Sequence, residues 1–382
     1  MLELAAVAGP LAAAAALAGA QDAGAAGYAI VPQRLVAAAP AAWPADVPQV
    51  LAVLARPELA ASSAAGQQDT KTLRVTISRA AHQTNASAAT APGANASCSI
   101  NRITINRFSE CEWITIHVDV VKIVRGQPVL QGAADFDVKH LMTLKTKSVN
   151  WSENFYISKA KTTRAGKGLH VNVAASSKSG TKTKVHFDQG RTLDSKSSGS
   201  IDYKTDPIKR GKANAKAKTT YKYTFTKTGY EPGTVSYDSA VYRCDNYYGT
   251  SGCAIPESRT GISMINQPVI AFGIQQLRSR GGHYGDPYGG KPLHWMINDK
   301  QKKKNRAAVC PKNPPADMKR AGRTSCDEYP FASTYEGGTH LPARQRTITW
   351  VKKAENDSQG ATITNWRRAG HVMDHDPFFV IV

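Results

Sequence analysis

The sequence predicts an α+β protein in which an all-β antiparallel module precedes a mixed C-terminal third. Three observations support this: an Ala/Pro-rich first quarter, alternating apolar and polar residues in the middle, and interleaved helical and strand-like patterns afterwards. The predicted organisation is a leader at 1–20, a linker or propeptide-like low-complexity segment at 21–99, a basic all-β module at 100–242 and a C-terminal domain at 243–382.

The leader is predicted from an apolar run at residues 4–19 that ends in the small residues Ala18, Gly19 and Ala20. No Lys or Arg precedes Arg34, so the usual basic start of a signal peptide is missing. The run is short and contains Gly and Pro, which favours a cleaved leader over a membrane anchor. We therefore expect secretion without stable membrane insertion.

The segment 21–99 is rich in Ala, Pro, Ser and Gln and has few apolar clusters. Such a composition buries little surface, so at most one or two short helices are expected there.

The charge of the chain points to an anionic partner. Its 382 residues suffice for two domains, and a net charge of +20 with 41% hydrophobic residues describes a folded protein with a basic surface. Residues 100–243 contain 25 Lys and Arg against 12 Asp and Glu. Nucleic acid, anionic lipid and acidic polysaccharide, including a cell-surface polyanion, all fit this charge.

Six cysteines occur as three local pairs without any C-x-x-C spacing, which disfavours a zinc site. Their even number and close spacing favour three disulfides in an exported protein. Six buried thiols in a cytosolic enzyme are the alternative, and the spacing leaves other pairings open. The local pairs are Cys98 with Cys111, Cys244 with Cys253, and Cys310 with Cys326.

The middle of the chain has the period-2 pattern of strands. Residues 113–121, 169–174 and 221–226 alternate apolar and polar positions, and glycines separate such runs at short intervals. The many lysines form either a footprint for a polyanion or a solvated face that protects strand edges. Tyr221 and Tyr223 are expected to pack within the sheet rather than to stack on bases.

The last third combines helices and strands. Residues 266–277 predict a helix with Pro268 in its first turn and with Val269, Phe272 and Leu277 on its buried face. Further elements are predicted as a strand at 347–351, a helix from 355 towards 368 and a strand at 378–382.

The most informative segment is Ser325–Gly338, S-C-D-E-Y-P-F-A-S-T-Y-E-G-G. Its three carboxylates, Asp327, Glu328 and Glu336, are oxygen donors suited to Mg²⁺, Mn²⁺ or Ca²⁺. Asn356 and Gln359, three positions apart, share a face if they lie on a helix. A carboxylate can also serve as a general base, and a metal ion beside it stabilises charge on an attacked phosphodiester. Each feature also has a purely structural explanation as a turn or a helix cap.

Residues 326–338 resemble the signature of the NucA/NucB family of secreted bacterial deoxyribonucleases, in its actinobacterial form. The resemblance extends over residues 243–382, and nothing in it explains residues 21–242. Shorter pieces agree in order and spacing: Arg243-Cys-Asp, Gly252-Cys-Ala, Pro292-Leu-His, Asn305-Arg-Ala-Ala-Val-Cys-Pro, Glu355-Asn-Asp-Ser-Gln-Gly and Asp376-Pro-Phe-Phe-Val.

The resemblance implies a small nuclease core of the ββα-metal type in which a carboxylate replaces the usual histidine base. It assigns Asp327 as general base, with Glu328 and Glu336 as further catalytic residues. Glu328 is expected to pair with a nearby arginine such as Arg323. A divalent metal, Mg or Mn, is implied, with Glu336, Asn356 and Gln359 as candidate ligands. The candidates for binding the DNA backbone are Arg320, Arg323, Arg367 and Arg368.

Two departures from the family pattern stand out. Residues 298–305 are unusually rich in lysine, and His375 occupies a position where a small residue is usual. His294, His340 and His375 are alternative bases or phosphate contacts. The disulfides Cys244–Cys253 and Cys310–Cys326 would brace the site.

The sequence therefore predicts a secreted, metal-dependent, sequence-nonspecific endodeoxyribonuclease. One alternative is a non-catalytic polyanion-binding or adhesion protein that carries a decayed nuclease domain. Another is a toxin whose nuclease tip is carried on an unrelated N-terminal module.

Overall fold

The computed structural model describes residues 70–78, 82–84, 98–258 and 260–382. They belong to one compact unit that spans residues 64–382. The predicted leader, and the linker up to residue 69, lie outside the described residues. None of the described helices is both long and apolar enough to span a membrane.

Thirteen strands form one large sheet in the first part of this unit. Their central order is β10-β8-β12-β13-β1-β4-β5-β6-β11-β9, with β3 beside β4, β2 beside β3 and β7 beside β5. The strands are β1 (Lys71–Ser78), β2 (His82–Thr84), β3 (Arg102–Ile105), β4 (Ser109–Val124), β5 (Gln127–Thr143), β6 (Asn150–Ile157), β7 (Lys161–Arg164), β8 (His170–Ser177), β9 (Thr181–His186), β10 (Arg191–Thr192), β11 (Ser197–Thr205), β12 (Thr219–Lys227) and β13 (Tyr230–Asp238).

The hairpin β4–β5 is the longest element of the sheet. Its two-residue turn, Arg125-Gly126, has positive φ at both positions, as the twist of a tight hairpin requires. Alternate residues of β4, among them Ile116 and Val118, are buried. The period-2 pattern therefore marks a strand with one buried face, as predicted. Tyr221 and Tyr223 are buried as well, which confirms that they pack within the sheet.

Strand β1 corrects the sequence prediction. Lys71–Ser78 lies in the segment predicted to be a linker, yet it pairs with β4 in antiparallel and β13 in parallel orientation. The linker prediction is therefore wrong for this strand, and the sheet is not purely antiparallel. The alternating residues of β1 are few and lie between Ala-rich segments, so the pattern did not predict a strand. The strand is stable only because it lies between two partner strands.

The interior of this sheet contains an unusual group of carboxylates. Glu153 accepts hydrogen bonds from the hydroxyls of Tyr203 at 2.6 Å and Tyr221 at 2.9 Å, and it pairs with the ring of His140. Burial raises the pKa of Glu110 to about 7. Burial, together with the charge of Glu110, also raises the pKa of Glu112 well above its usual value.

The rest of the chain is mixed α+β, as predicted. Its strands are β14 (Arg243–Asp245), β15 (Gly252–Ala254), β16 (Thr260–Ser263), β17 (Leu293–His294), β18 (Ser325–Tyr329), β19 (Thr347–Val351) and β20 (Pro377–Ile381). Its helices are α1 (Pro268–Ser279), α2 (Asp299–Val309), α3 (Ala316–Arg320) and α4 (Lys353–Ala369), with a 3₁₀ turn at Ala343–Gln345.

These bounds confirm the predicted helix that begins at Pro268, the later helix and both strands. The prediction for Phe272 is wrong: this side chain is 58% exposed, while Ile270 and Ile274 are buried in its place. The β-branched residues Ile270 and Ile274 lie four residues apart, so they share one side of the helix. This side is the buried one, and it lies about one position away from the face that was predicted.

Two hydrophobic cores are present. The first fills the large sheet and also includes Cys244, Cys253 and Ile255, which follow the predicted module. The second begins at Ile262 and packs α1 and α4 around β20. The strands β14 and β15 thus share a core with the sheet.

Arg107, in the loop between β3 and β4, joins the two parts. Its guanidinium is buried and donates hydrogen bonds to the carbonyls of Gly370 and His371, both at 2.7 Å, and to Asp376 Oδ2 at 2.6 Å. Arg243 donates to both carboxylate oxygens of Asp376, at 2.8 and 2.9 Å. Burial acts to raise the pKa of Asp376, but the two arginines outweigh it and hold the pKa below its usual value.

We expect Arg107→Ala to lower the free energy of unfolding by about 3–5 kcal/mol, because it leaves a buried carboxylate and several carbonyls without a donor. Denaturant unfolding measures this change. Arg210→Ala is the matched control, since Arg210 is exposed and its loss should stay within about 0.5 kcal/mol. Equal stability of the two variants would contradict the structural role of Arg107.

Candidate active site

A cavity of about 280 Å³ lies among α2, β18, α4 and the loop 331–333. Strands β18 and β19 pair in antiparallel register, and α4 follows β19 after a single residue. The polar side chains that line the cavity are Lys302, Lys303, Arg306, Asp327, Glu328, Ser333 and Gln359.

Asp327 is the most perturbed group of the cavity. It lies in the middle of β18 opposite Thr349 and is only 4% exposed. Burial raises its pKa to about 8, and the neighbouring charge of Glu328 adds to the rise, while Arg306 opposes it. A carboxyl group with such a pKa, placed in a cavity, is ionised and can accept a proton above about pH 8.

Glu328 forms an ion pair with Arg306 of α2. Arg306 Nη1 lies 2.9 Å from Glu328 Oε2, and Nη2 donates to the carbonyl of Cys326 at 2.5 Å. The prediction that Glu328 pairs with an arginine is confirmed, but the partner is Arg306 rather than Arg323. Arg306 lies about one helical turn after Lys302 and Lys303, and it contacts β18 directly. This contact joins residues that are distant in sequence, so the sequence could not show it.

Three cations of α2 border the cavity: Lys302, Lys303 and Arg306. The side chain of Asn298 caps this helix by accepting from Gln301 N at 3.1 Å. These lysines belong to the Lys-rich run at 298–305 that departs from the family pattern. This Lys-rich run is visible in the sequence, but its position at the cavity is visible only in the structure.

Asn305 fixes α2 against the acidic motif. It is buried, and its Nδ2 donates to the carbonyls of Ala332 at 3.0 Å and Thr334 at 3.3 Å. Gly338 packs on Asn305: an added Cβ would lie 2.9 Å from Asn305 Cα, and its φ is +69°. The glycine at the end of the motif therefore allows α2 to approach.

Gln359 reaches the cavity from α4. The residue is buried, and its Nε2 has no hydrogen-bond partner among the described residues. The amide lies near enough to Asp327 to lower the pKa of that carboxyl and so to oppose the effect of burial.

The other two candidate metal ligands face different partners. Glu336 accepts hydrogen bonds from the backbone N of His294 at 2.8 Å and pairs with its ring at 2.7 Å. Asn356 donates to Ser325 Oγ at 2.8 Å. Neither residue lines the cavity with Gln359.

These contacts do not fit the predicted ligand set. Among the described residues, the one group of His, Cys, Asp and Glu with ligand atoms close together is Cys310, Cys326 and Glu328. Its two sulfurs form a disulfide and are not thiolate ligands. Glu336 and Asn356 are engaged by His294 and Ser325 and do not line the cavity with Gln359, so the set of metal ligands stays a prediction.

The four arginines predicted to bind DNA are not among the residues that line the cavity. Arg320 ends α3, and Arg323 lies in the loop before β18. The guanidinium of Arg367 lies over the ring of Trp295 at 4.4 Å, so it is engaged in packing. Arg368 is exposed near the end of α4.

The three histidines considered as alternatives are also outside the lining. His294 pairs with Glu336, which raises its pKa. His375 is exposed and stacks on Tyr335 at 4.1 Å. His340 is exposed.

All three local cysteine pairs form disulfides in the structure, Cys98–Cys111, Cys244–Cys253 and Cys310–Cys326. Cys310 follows the last residue of α2, and Cys326 directly precedes Asp327 in β18. This bond links the cationic helix to the strand that carries the buried carboxyl.

Comparison with protein families assigns this region. Residues 290–381 match the family described as Deoxyribonuclease NucA/NucB. The C-terminal region is a NucA/NucB domain. The match includes α2, β18, β19 and α4, so every wall of the cavity lies in the NucA/NucB domain. Neither the curated proteins nor the solved structures include a match to the chain.

Proposed function

We propose that the protein is a secreted, sequence-nonspecific endodeoxyribonuclease that uses Asp327 as its general base. The observation that carries this proposal is a buried carboxyl of raised pKa that shares a cavity with three cations inside a NucA/NucB domain. Three disulfides support an oxidising, extracellular location.

The cavity suggests how its own residues act. Lys302 and Lys303 hold a phosphate of the DNA backbone. Arg306 stays paired with Glu328 and lies beside this phosphate. Ionised Asp327 accepts the proton of a water molecule whose oxygen attacks the phosphorus. The P–O bond to one sugar oxygen then breaks, and this leaving oxygen takes up a proton from the solvent. Binding through phosphates alone carries no information about base sequence, so cleavage is nonspecific.

Replacement of the base tests the assignment. We expect Asp327→Asn to lower the rate of plasmid nicking at least about 100-fold, since a general base contributes about 10²–10⁴-fold. Far-UV circular dichroism should show an unchanged fold, because the amide has nearly the same shape as the carboxyl. Asp357→Asn is the matched control: Asp357 is exposed on α4 and pairs with Lys353 at 2.6 Å. Full activity of Asp327→Asn would overturn the proposal.

Dependence on Mg or Mn remains a prediction from the family resemblance. We expect EDTA to abolish nicking and added Mg²⁺ or Mn²⁺ to restore it, because a divalent ion stabilises charge at an attacked phosphodiester. Unchanged nicking in EDTA would contradict the metal requirement. Salt-sensitive DNA binding without cleavage under either metal would favour the non-catalytic polyanion-binding protein instead.

The pH profile gives a further test. Asp327 must be ionised to act as a base, so kcat/KM should fall as pH drops below the Asp327 pKa of about 8. The charge of Glu328 raises that pKa, so Glu328→Gln should move the acidic limb to lower pH. Asp357→Asn should leave the limb in place. Identical limbs in the Glu328→Gln variant and the wild type would contradict the role of Asp327.

A further inference from the structure

A second cavity, of about 620 Å³, opens on the large sheet outside the NucA/NucB domain. Its size falls within the range of about 300–1,000 Å³ that is usual for ligand pockets. Aromatic rings and cations share its lining: Trp113, Tyr156, Phe187, Lys139, Arg191 and Lys196. The nuclease mechanism uses none of these residues.

The floor of this cleft is a row of side chains across three strands. Trp113 of β4 lies opposite Lys139 of β5, which in turn lies opposite Tyr156 of β6. The ammonium of Lys139 is 5.4 Å from the Trp113 ring and 5.1 Å from the Tyr156 ring. The next residues along β4 and β5, Ile114 and Val138, are buried, so the row occupies the opposite, outer face.

Trp113 and Tyr156 are not part of the hydrophobic core of the sheet, whereas Phe187 packs against it. Tyr156 is 43% exposed, although neighbouring Phe155 is buried. Phe187, at 5.4 Å from the ring of Phe155, forms a side wall. An aromatic patch left open beside cations marks a surface for interaction.

The charges in the cleft favour an anionic ligand. Asp188 lies 3.6 Å from Arg191, and Asp137 accepts a hydrogen bond from Thr115 Oγ1 at 2.9 Å. Lys139 and Lys196 form no ion pair with any described residue. Both ammonium groups are therefore available to an anion that enters the cleft.

The geometry points to a binding site for single-stranded DNA in this cleft. Unstacked bases can pack on Tyr156 and Trp113, and Lys139 and Lys196 can contact the phosphates between them. Bases in a duplex are already stacked on each other, so the cleft should favour single strands. The choice of DNA over an acidic polysaccharide rests on the proposed nuclease function of the same compact unit.

Binding can be measured without cleavage. The full chain carrying Asp327→Asn is titrated against fluorescein-labelled oligo(dT), and anisotropy reports the Kd. Adding Tyr156→Ala should raise the Kd about 5- to 100-fold, the range for the loss of one base stack. Adding Lys139→Gln should weaken binding and reduce its salt dependence by about one phosphate contact. Tyr288→Ala is the control, since Tyr288 is 89% exposed and lies outside the cleft.

Each outcome decides a different question. An unchanged Kd in both cleft variants, with their circular dichroism spectra intact, would overturn the cleft as a DNA site. Loss of polygalacturonate binding with oligo(dT) binding unchanged would overturn it in favour of a polysaccharide. Plasmid nicking by the wild-type chain tests the nuclease separately. If binding depends on Tyr156 but the wild-type chain does not nick plasmid DNA, the cleft is still a DNA-binding site and the proposed nuclease function is wrong.

Discussion

The buried pairing of Arg107 and Arg243 with Asp376 is the constraint on which the rest of the structure depends. Two guanidinium groups and one carboxylate lie out of water, where each is stable only while the others are present. Arg107 comes from the large sheet, and Asp376 directly precedes the strand at the centre of the second core. The sheet and the NucA/NucB domain are therefore joined by contacts that neither can satisfy alone. A domain cut at residue 243 would leave Asp376 without Arg107.

The cavity at Asp327 depends on a second balance, between burial and charge. Burial raises the pKa of this carboxyl, and the cations of α2 place positive charge beside it. The ion pair of Arg306 with Glu328, the disulfide Cys310–Cys326 and the close approach of Asn305 to Gly338 all hold α2 against β18. The motif thus does more than supply carboxylates, since Cys326, Glu328 and Gly338 position the helix that carries the cations.

Local patterns predicted several elements correctly because their signals are local. Pro268 at a helix start and the alternation of residues 347–351 depend on neighbours within one or two turns. Strand β1 was missed because its stability comes from β4 and β13, which are distant in sequence. The partners of Glu336 and Asn356 were missed for the same reason, as His294 and Ser325 meet them only in the folded chain.

The sequence by itself determined the family of the C-terminal region, the prominence of Asp327 and the cationic character of the chain, because residue identity and spacing carry these properties. Tertiary structure alone decided which groups share the cavity: Gln359 and the cations of α2 join Asp327, while Glu336 and Asn356 face other partners. It also decided that Trp113, Lys139 and Tyr156 form one row on the outer face of the sheet. The physical reason is that pairing between strands and docking of helices that are distant in sequence depend on long-range packing, which local patterns do not show.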